Sequence, residues 1–252
     1  MKCLAIIAAG NSKRMGGIPK ALSFVDGIPN LENTIKKSHI FFDKIFVFCN
    51  STHKEDFEHV IKNTEKKYGL DANRINLIVI VSGRGCGHAV LESMSQLISY
   101  RLSELYICWG DVFFKNDEIF EELISKKIDR FPLVMPVVYE NNPYVWMEHD
   151  NSKIICANFS KRGEITEAGL HDQSLFKIDF FRIFNALATM DSCLDKKGIY
   201  NNQNKEMIFL DVLCYLNNTK RPASLYETKH RTFGYNTETE LDELNEYLKT
   251  ND

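Results

Sequence analysis

In the first half of this chain the apolar residues come in short solid runs rather than in alternation. Cys3 to Ala9, Lys44 to Cys49, Asn76 to Val81 and Glu104 to Trp109 are such runs, of a length and composition that fit strands covered on both faces. Between them, Leu31 to Ile40, His53 to Lys67 and Ala89 to Tyr100 have helical spacing, the last with Val90, Met94, Leu97 and Ile98 on one stripe. Asn50-Ser51-Thr52 offers a cap for the second helix. Asp26-Gly27-Ile28-Pro29 reads as a turn after the short apolar stretch Ala21 to Val25. Strand and helix in this alternation predict right-handed βαβ units, hence an α/β fold with a mostly parallel sheet flanked by helices.

The rhythm changes near Phe131. Leu133 to Val138, Lys153 to Phe159 and Ser174 to Ile178 alternate like half-exposed strands, interrupted by the basic stretch Lys161-Arg162-Gly163. This predicts a smaller mixed or antiparallel part that covers the parallel sheet. Phe180 to Met190 and Lys205 to Asn217 read as helices, Ala223 to Thr228 as a strand, and Glu238 to Lys249 as a C-terminal helix. Asp191 to Asn204 is polar and turn-rich, and is expected to be a mobile loop. With no repeat, low-complexity tract or linker, the expectation is one domain over 1–252, in two halves at 1–130 and 131–252.

In an open α/β sheet, ligands bind beyond the carboxyl ends of the strands, and the loops there carry the candidate chemistry. The first run stops at Gly10 and opens into a polar loop with Lys13, Arg14, Pro19 and Lys20. Its N–H groups can form an anion nest, and its cations suit a triphosphate. Gly-Asn-Ser alone would be an ordinary turn; Arg14 and Pro19-Lys20 tip the reading toward phosphate. The spacing is neither Walker A nor G-x-G-x-x-G. The third run leads to glycines at 83, 85 and 87, which let backbone approach a planar ring, although a plain turn would use them equally well. The fourth ends in Gly110-Asp111, with a carboxylate at the rim. Phe233-Gly234-Tyr235-Asn236-Thr237 precedes the last helix, where Asn236 or Thr237 could serve as its cap.

Ala8-Ala9-Gly10-Asn11-Ser12-Lys13-Arg14-Met15 followed by Pro19-Lys20 resembles the A-A-G-x-[GS]-x-R-M…P-K signature of sugar-phosphate nucleotidyltransferases and their cytidylyltransferase relatives, enzymes of MobA-like and GT-A-like type. Gly85-Cys86-Gly87-His88-Ala89 resembles their base-contacting G-T-[AG]-x-A segment, with Cys86 in the usual threonine position. His88 is expected to pack and cap the helix start. Gly110-Asp111 resembles the family's metal-binding G-D, and Gly234-Tyr235-Asn236-Thr237 the G-[VIY]-N-[TD] motif of the uridyltransferase branch. The resemblance implies a Rossmann-like (GT-A-like) sheet, a nucleotide-binding half at 1–130 and an acceptor-binding half at 131–252. It implies nucleotide contacts from Ala8, Ala9, Gly10, Asn11, Ser12, Ser82, Gly83, Gly85 and Gly87, and Mg²⁺ on Asp111 and Asn236. Lys20 is expected on the α-phosphoryl oxygens and Arg14 on the leaving pyrophosphate.

Net charge is −3, so no global basic field points to nucleic acid or an anionic membrane, and any phosphate must be held by a local cluster. Seven cysteines, at 3, 49, 86, 108, 156, 193 and 214, form no C-x-x-C pair. That argues against a zinc site and a disulfide framework and suits a reducing cytosol. No apolar run approaches the ~18 residues of a membrane span, and the N-terminus lacks a signal peptide's plan. A soluble cytoplasmic enzyme is expected.

The resemblance thins after Asp111. Where hexosamine-phosphate enzymes have Y-G, a glutamate and N-T-G, this chain has Pro143-Tyr144-Val145-Trp146, Cys156-Ala157-Asn158-Phe159 and His171-Asp172-Gln173-Ser174. Tyr144, Trp146, Lys161, Arg162 and Asp172 point instead to a small acceptor with an anionic part and an ammonium group, although core packing would also account for Tyr144 and Trp146. Cytidylyltransferases for phosphocholine, or for the phosphoglutamine of capsule synthesis, share this front end. The favoured expectation is therefore CMP transfer from CTP to a small phosphorylated acceptor, making a precursor for a capsule or cell-surface polysaccharide. A UTP-dependent hexosamine-1-phosphate uridylyltransferase, a non-catalytic nucleotide-binding relative and an NAD-type Rossmann enzyme stay open as alternatives.

Overall fold

The computed structural model describes residues 1–10, 15–81, 84–128, 130–159, 168–193 and 206–250. The first half runs β1 (Cys3–Ala8), a 3-10 turn (Lys20–Leu22), β2 (Phe24–Val25), β3 (Ile28–Pro29), α1 (Asn30–Ser38), β4 (Lys44–Cys49), α2 (Lys54–Tyr68), β5 (Ile75–Val79), α3 (Cys86–Leu97), β6 (Glu104–Trp109), β7 (Val112–Phe114) and α4 (Glu118–Ser125). The second half runs β8 (Leu133–Glu140), β9 (Val145–Asp150), β10 (Lys153–Phe159), β11 (Gly169–Asp172), β12 (Leu175–Asp179), α5 (Phe180–Cys193), α6 (Asp211–Asn218), β13 (Ser224–Glu227), β14 (Thr232–Gly234) and α7 (Glu238–Thr250).

One sheet of ten strands runs through both halves in the order β5-β4-β1-β6-β12-β8-β13-β10-β9, with β11 also paired to β8. β5, β4, β1 and β6 are parallel, and β12 joins β6 antiparallel. The solid apolar runs are explained by burial on both faces. Along β1, Cys3, Ala5 and Ile7 face the layer of α3, α5 and α6, while Leu4 and Ile6 face α1, α2 and α4. The chain leaves β1 for β4 on one side and later returns to β6 on the other. The crevice between the ends of β1 and β6 is therefore the topological switch point.

A third, smaller cluster packs Met15, Val25, Phe113, Tyr235, Leu244 and Leu248 together, and docks α7 and the β7–β14 ribbon onto the loop after β1. The Asp26–Gly27 turn closes a miniature β2–β3 hairpin, both residues at positive φ, as a two-residue hairpin turn demands. Asn50 caps the 3-10 turn Ser51–His53 rather than α2 itself, its side chain accepting from the His53 N–H at 3.3 Å.

Several expectations change. β8 is not half-exposed: Leu133 to Val138 are all buried, because β8 lies inside the sheet between β12 and β13. β9 and β11 are strands that the apolar pattern does not announce. The helix expected from Lys205 starts only at Asp211, because Met207 extends to pair with the glycine loop, donating to Arg84 O at 2.8 Å. Of the polar stretch 191–204, Asp191 to Cys193 complete α5 and the rest lies outside the described residues. Cys156 on β10 and Cys214 on α6 form a disulfide, Cα atoms 4.6 Å apart. No sequence spacing marks a pair 58 residues apart, and the expectation of no disulfide is corrected. No helix among the described residues is long and apolar enough to cross a membrane.

The disulfide closes a loop of the length for which cross-linking stabilises by about 4 kcal/mol. Cys214→Ser should therefore lower the melting temperature of the oxidised protein and leave that of the reduced protein nearly unchanged, as scanning calorimetry with and without dithiothreitol would show.

Candidate active site

A cavity of about 930 Å³ opens at the carboxyl ends of β1 and β6, within the size range of small-molecule sites. Its first wall is Ile7 to Gly10, Lys20 and Ala21; its floor is Trp109 to Val112; the second half supplies Glu140, Tyr144, Phe159, His171 and Asp172. Glu206, Ile208 and Leu210 line one side, and Thr232 to Asn236 close the end.

The turn from β6 to β7 is fixed from three directions. Gly110 donates to Ile7 O at 2.9 Å, and a Cβ on Gly110 would lie 2.7 Å from that of Ala8 and 3.2 Å from that of Ala21. Only glycine fits there. From α1, the fully buried Asn30 donates to both Gly110 O and Val112 O at 3.1 Å, and Asn33 donates to Phe114 O at 3.1 Å. Asp111 is thereby held at the rim.

Antiparallel pairing of β14 on β7, with Gly234 opposite Val112, carries the next residues alongside Asp111. Thr237 is the helix cap, accepting from the Glu240 N–H at 3.3 Å, while Glu240 accepts from the Asn236 N–H. The Asn236 side chain is not spent on the cap and turns to the site. Lys20 Nζ donates to its Oδ1 at 3.1 Å and to Asp111 Oδ2. The backbone of Lys20 is pinned, its carbonyl accepting from Tyr235 OH at 2.5 Å. Burial pushes the Tyr235 phenol well above its ordinary range, so it remains a donor. Two hard oxygens converging on one ammonium are a donor set suited to a cation such as Mg²⁺. Among the described residues no group of three His, Cys, Asp or Glu side chains could hold a metal.

Ala8, Ala9, Gly10, Gly85, Tyr144 and Asp172 also line the cavity. Among the described residues nothing lies within 4 Å of where a Cβ on Gly10 would sit. The second glycine loop differs. Cβ atoms on Gly85 and Gly87 would lie 2.5 and 2.9 Å from Met207 O, and the Gly87 N–H donates to that oxygen at 2.7 Å. Both glycines are required by protein backbone rather than by a ring, and Gly87 is not among the lining residues. His88 does not cap α3, whose cap position is Gly85. Trp146 does not join Tyr144 at the cavity; it packs over Gly169 on β11. Asp172 is buried, accepts from the Ser174 N–H at 2.9 Å, and its carboxyl is pushed up by that burial. Asn11, Ser12, Arg14, Ser82, Gly83, Lys161 and Arg162 lie outside the described residues.

Glu206 to Leu210, Glu140 and His171 escaped the motif reading. The Glu206–Leu210 segment follows a polar loop and carries no motif. His171 Nδ1 bonds Val145 O at 2.8 Å, which places the proton on that nitrogen.

A family model, that of the MobA-like NTP transferase domain, matches residues 4–155, well over half of the chain. The chain belongs to this family. It is a nucleotidyltransferase, with the mostly parallel sheet flanked by helices expected of one. No curated protein matches it. Solved structures share the fold at low identity. HddC from Yersinia pseudotuberculosis complexed with GMP-PN is 16% identical, with TM-score 0.68 over 98% of this chain and 100% of that one. The inositol-1-phosphate CTP transferase from T. maritima is 11% identical, with TM-score 0.70 over 100% and 97%. The nucleoside-diphosphate-sugar pyrophosphorylase from Vibrio cholerae is 11% identical, with TM-score 0.74 over 96% and 99%.

Two outcomes are expected of the transferase. Asn30→Ala leaves the Gly110 and Val112 carbonyls without their buried donor, at a cost of about 1–3 kcal/mol. Urea melts should show that loss, and kcat should fall with it as Asp111 loses its support. Asp211, at the start of α6, has its carboxyl pushed by burial from 3.8 up to about 6. Its ionisation therefore costs folded stability as pH rises through that value, and the cost vanishes below the unfolded value. Asp211→Asn should raise the melting temperature at about pH 8 and not at about pH 4.

Proposed function

We propose that this transferase moves a nucleoside monophosphate, CMP in the favoured reading, from its triphosphate to a small phosphorylated acceptor. An acceptor phosphate oxygen forms a bond to the α-phosphorus, the bond from that phosphorus to the bridging oxygen breaks, and pyrophosphate leaves with the electron pair. The observation that carries the reading is the convergence of Lys20, Asp111 and Asn236 at the mouth of a cavity at the sheet's switch point.

The chain's own groups have distinct tasks in this scheme. Backbone at Gly10 receives the nucleotide, and Lys20 takes the charge that develops on the α-phosphoryl oxygens. Arg14 is assigned to the leaving pyrophosphate, Asp111 and Asn236 to holding Mg²⁺. When bound, the ion neutralises phosphate charge. The enclosing walls align the two substrates. Lys20 is the only Lys or Arg among the described lining residues, whereas Tyr144 and Phe159, with the buried Asp172 and with Glu140, which Arg231 pairs from outside the lining, give the second-half wall aromatic and acid character. That wall favours an acceptor with an ammonium group beyond its phosphate, the phosphate being assigned to Lys161 and Arg162. Such a product would serve as an activated precursor for cell-surface polymers. CTP is favoured through the resemblance to small-acceptor cytidylyltransferases.

Pyrophosphate release across the four NTPs, with phosphocholine, other ammonium-bearing phosphates and N-acetylglucosamine 1-phosphate as acceptors, tests the proposal. Turnover is expected with CTP and an ammonium-bearing acceptor, and Lys20→Ala should cost roughly 10²- to 10³-fold in kcat. Turnover with UTP and N-acetylglucosamine 1-phosphate, and none with CTP, would reverse the substrate assignment. No turnover with any pair would favour a non-catalytic nucleotide-binding role.

A further inference from the structure

Lys20 does more in this structure than wait for a phosphate. Its ammonium donates to Asp111 Oδ2 and Asn236 Oδ1, the two oxygens assigned above to a divalent ion. The contact to Asp111 is part-buried, with the Lys20 side chain 20% exposed and that of Asp111 33%, while the contact to Asn236 lies at the surface. We infer that Lys20 is a resident cation at the ion site, and that it makes binding of the divalent ion depend on the nucleotide. The inference rests on the proposed function for the identity of the site.

Charge and reach carry the argument. The ammonium pairs with the Asp111 carboxylate and so neutralises it. A divalent ion on the same two oxygens would sit beside Lys20 as a like charge, and at contact distance in a part-buried site that repulsion weakens its binding. The backbone of Lys20 cannot retreat, since Tyr235 OH holds its carbonyl and Ala21 is buried behind it. The flexible four-carbon side chain can swing, but among the described lining residues the other acids are Glu140, Asp172 and Glu206, all from the second half of the chain. A triphosphate changes the balance, because its oxygens give the displaced ammonium a new anion and share the divalent ion. Ion and nucleotide affinities are then coupled through one side chain, and the coupling is reciprocal. Lys20 thus acts twice, first holding the site closed to a bare ion and then moving to the reacting phosphate.

The test uses the full chain and Mn²⁺ as the probe, counted by the electron paramagnetic resonance signal of the free ion, with no nucleotide present. Wild type should bind Mn²⁺ weakly. Lys20→Met, which keeps length and removes charge, should bind it at least about tenfold more tightly. Lys20→Arg, which keeps the charge, should stay near wild type. The gain should vanish in Lys20→Met combined with Asp111→Asn. Calorimetric titration of CTP should show Mg²⁺ raising affinity more in wild type than in Lys20→Met. Equal Mn²⁺ affinity in wild type and Lys20→Met, or tight binding by wild type alone, would overturn the inference while leaving transferase activity to be judged by pyrophosphate release. Conversely, the Mn²⁺ gain in a protein that releases no pyrophosphate would uphold the resident cation and sink the catalytic reading.

Discussion

Everything at the site depends on bringing two distant pieces of chain within one hydrogen-bond length of the Lys20 ammonium. Lys20 lies just after β1, Asp111 after β6 and Asn236 near the C-terminus. Neither of the longer-range partners is local, so loop-closure entropy opposes the meeting and specific packing must offset it. The offset is visible in the small cluster of Met15, Val25, Phe113, Tyr235, Leu244 and Leu248, which docks the last helix and the β7–β14 ribbon against the first loop. Under the proposed function, a site assembled this way couples catalysis to the docking of α7, because loosening that cluster moves Asn236 and releases the Lys20 carbonyl together.

Much of this was legible in the chain, and for physical reasons. β1, β4 and β6 are covered on both faces, so their apolar runs have no polar interruptions to blur them. Gly110 is legible because a residue there must be small for Ala8 and Ala21. Other features carry no comparable imprint. β9 ends in Glu148, His149 and Asp150, all exposed, so only its first residues look like a strand. Trp146 and Tyr144 are equally aromatic in the sequence, yet Tyr144, just before β9, lines the cavity, while Trp146, within the strand, packs over Gly169.

The glycines at 85 and 87 show the same limit in a sharper form. A glycine states that something comes close, but not what. At Gly85 and Gly87 the visitor is the backbone of Met207, from more than a hundred residues away, and that contact anchors the segment lining one side of the cavity. At Gly10 no described residue occupies the corresponding space. Two glycine loops that look alike as strings therefore differ, the one at Gly85 and Gly87 being spent on holding the protein together.

The distribution of charge around the cavity bears on specificity under the proposed function. Nucleotidyl transfer brings two anions into contact, and their repulsion has to be met where they touch. The described lining places its one Lys or Arg, Lys20, at that junction, while Glu140, Asp172 and Glu206 stand elsewhere on the walls. A wall of acids does not aid the reaction itself. It penalises any acceptor whose far end is anionic and rewards one whose far end is cationic, by repulsion as much as by attraction. The burial of Asp172 fits this division: its carboxyl is held by the Ser174 N–H and shapes the β11–β12 turn, and Glu140 is paired with Arg231 at 3.5 Å, which leaves the exposed ring of Tyr144 as the group a cationic acceptor would meet first. Selection by the far wall and chemistry at the junction are thus separable, and the acceptor could change between relatives without disturbing Lys20, Asp111 or Asn236.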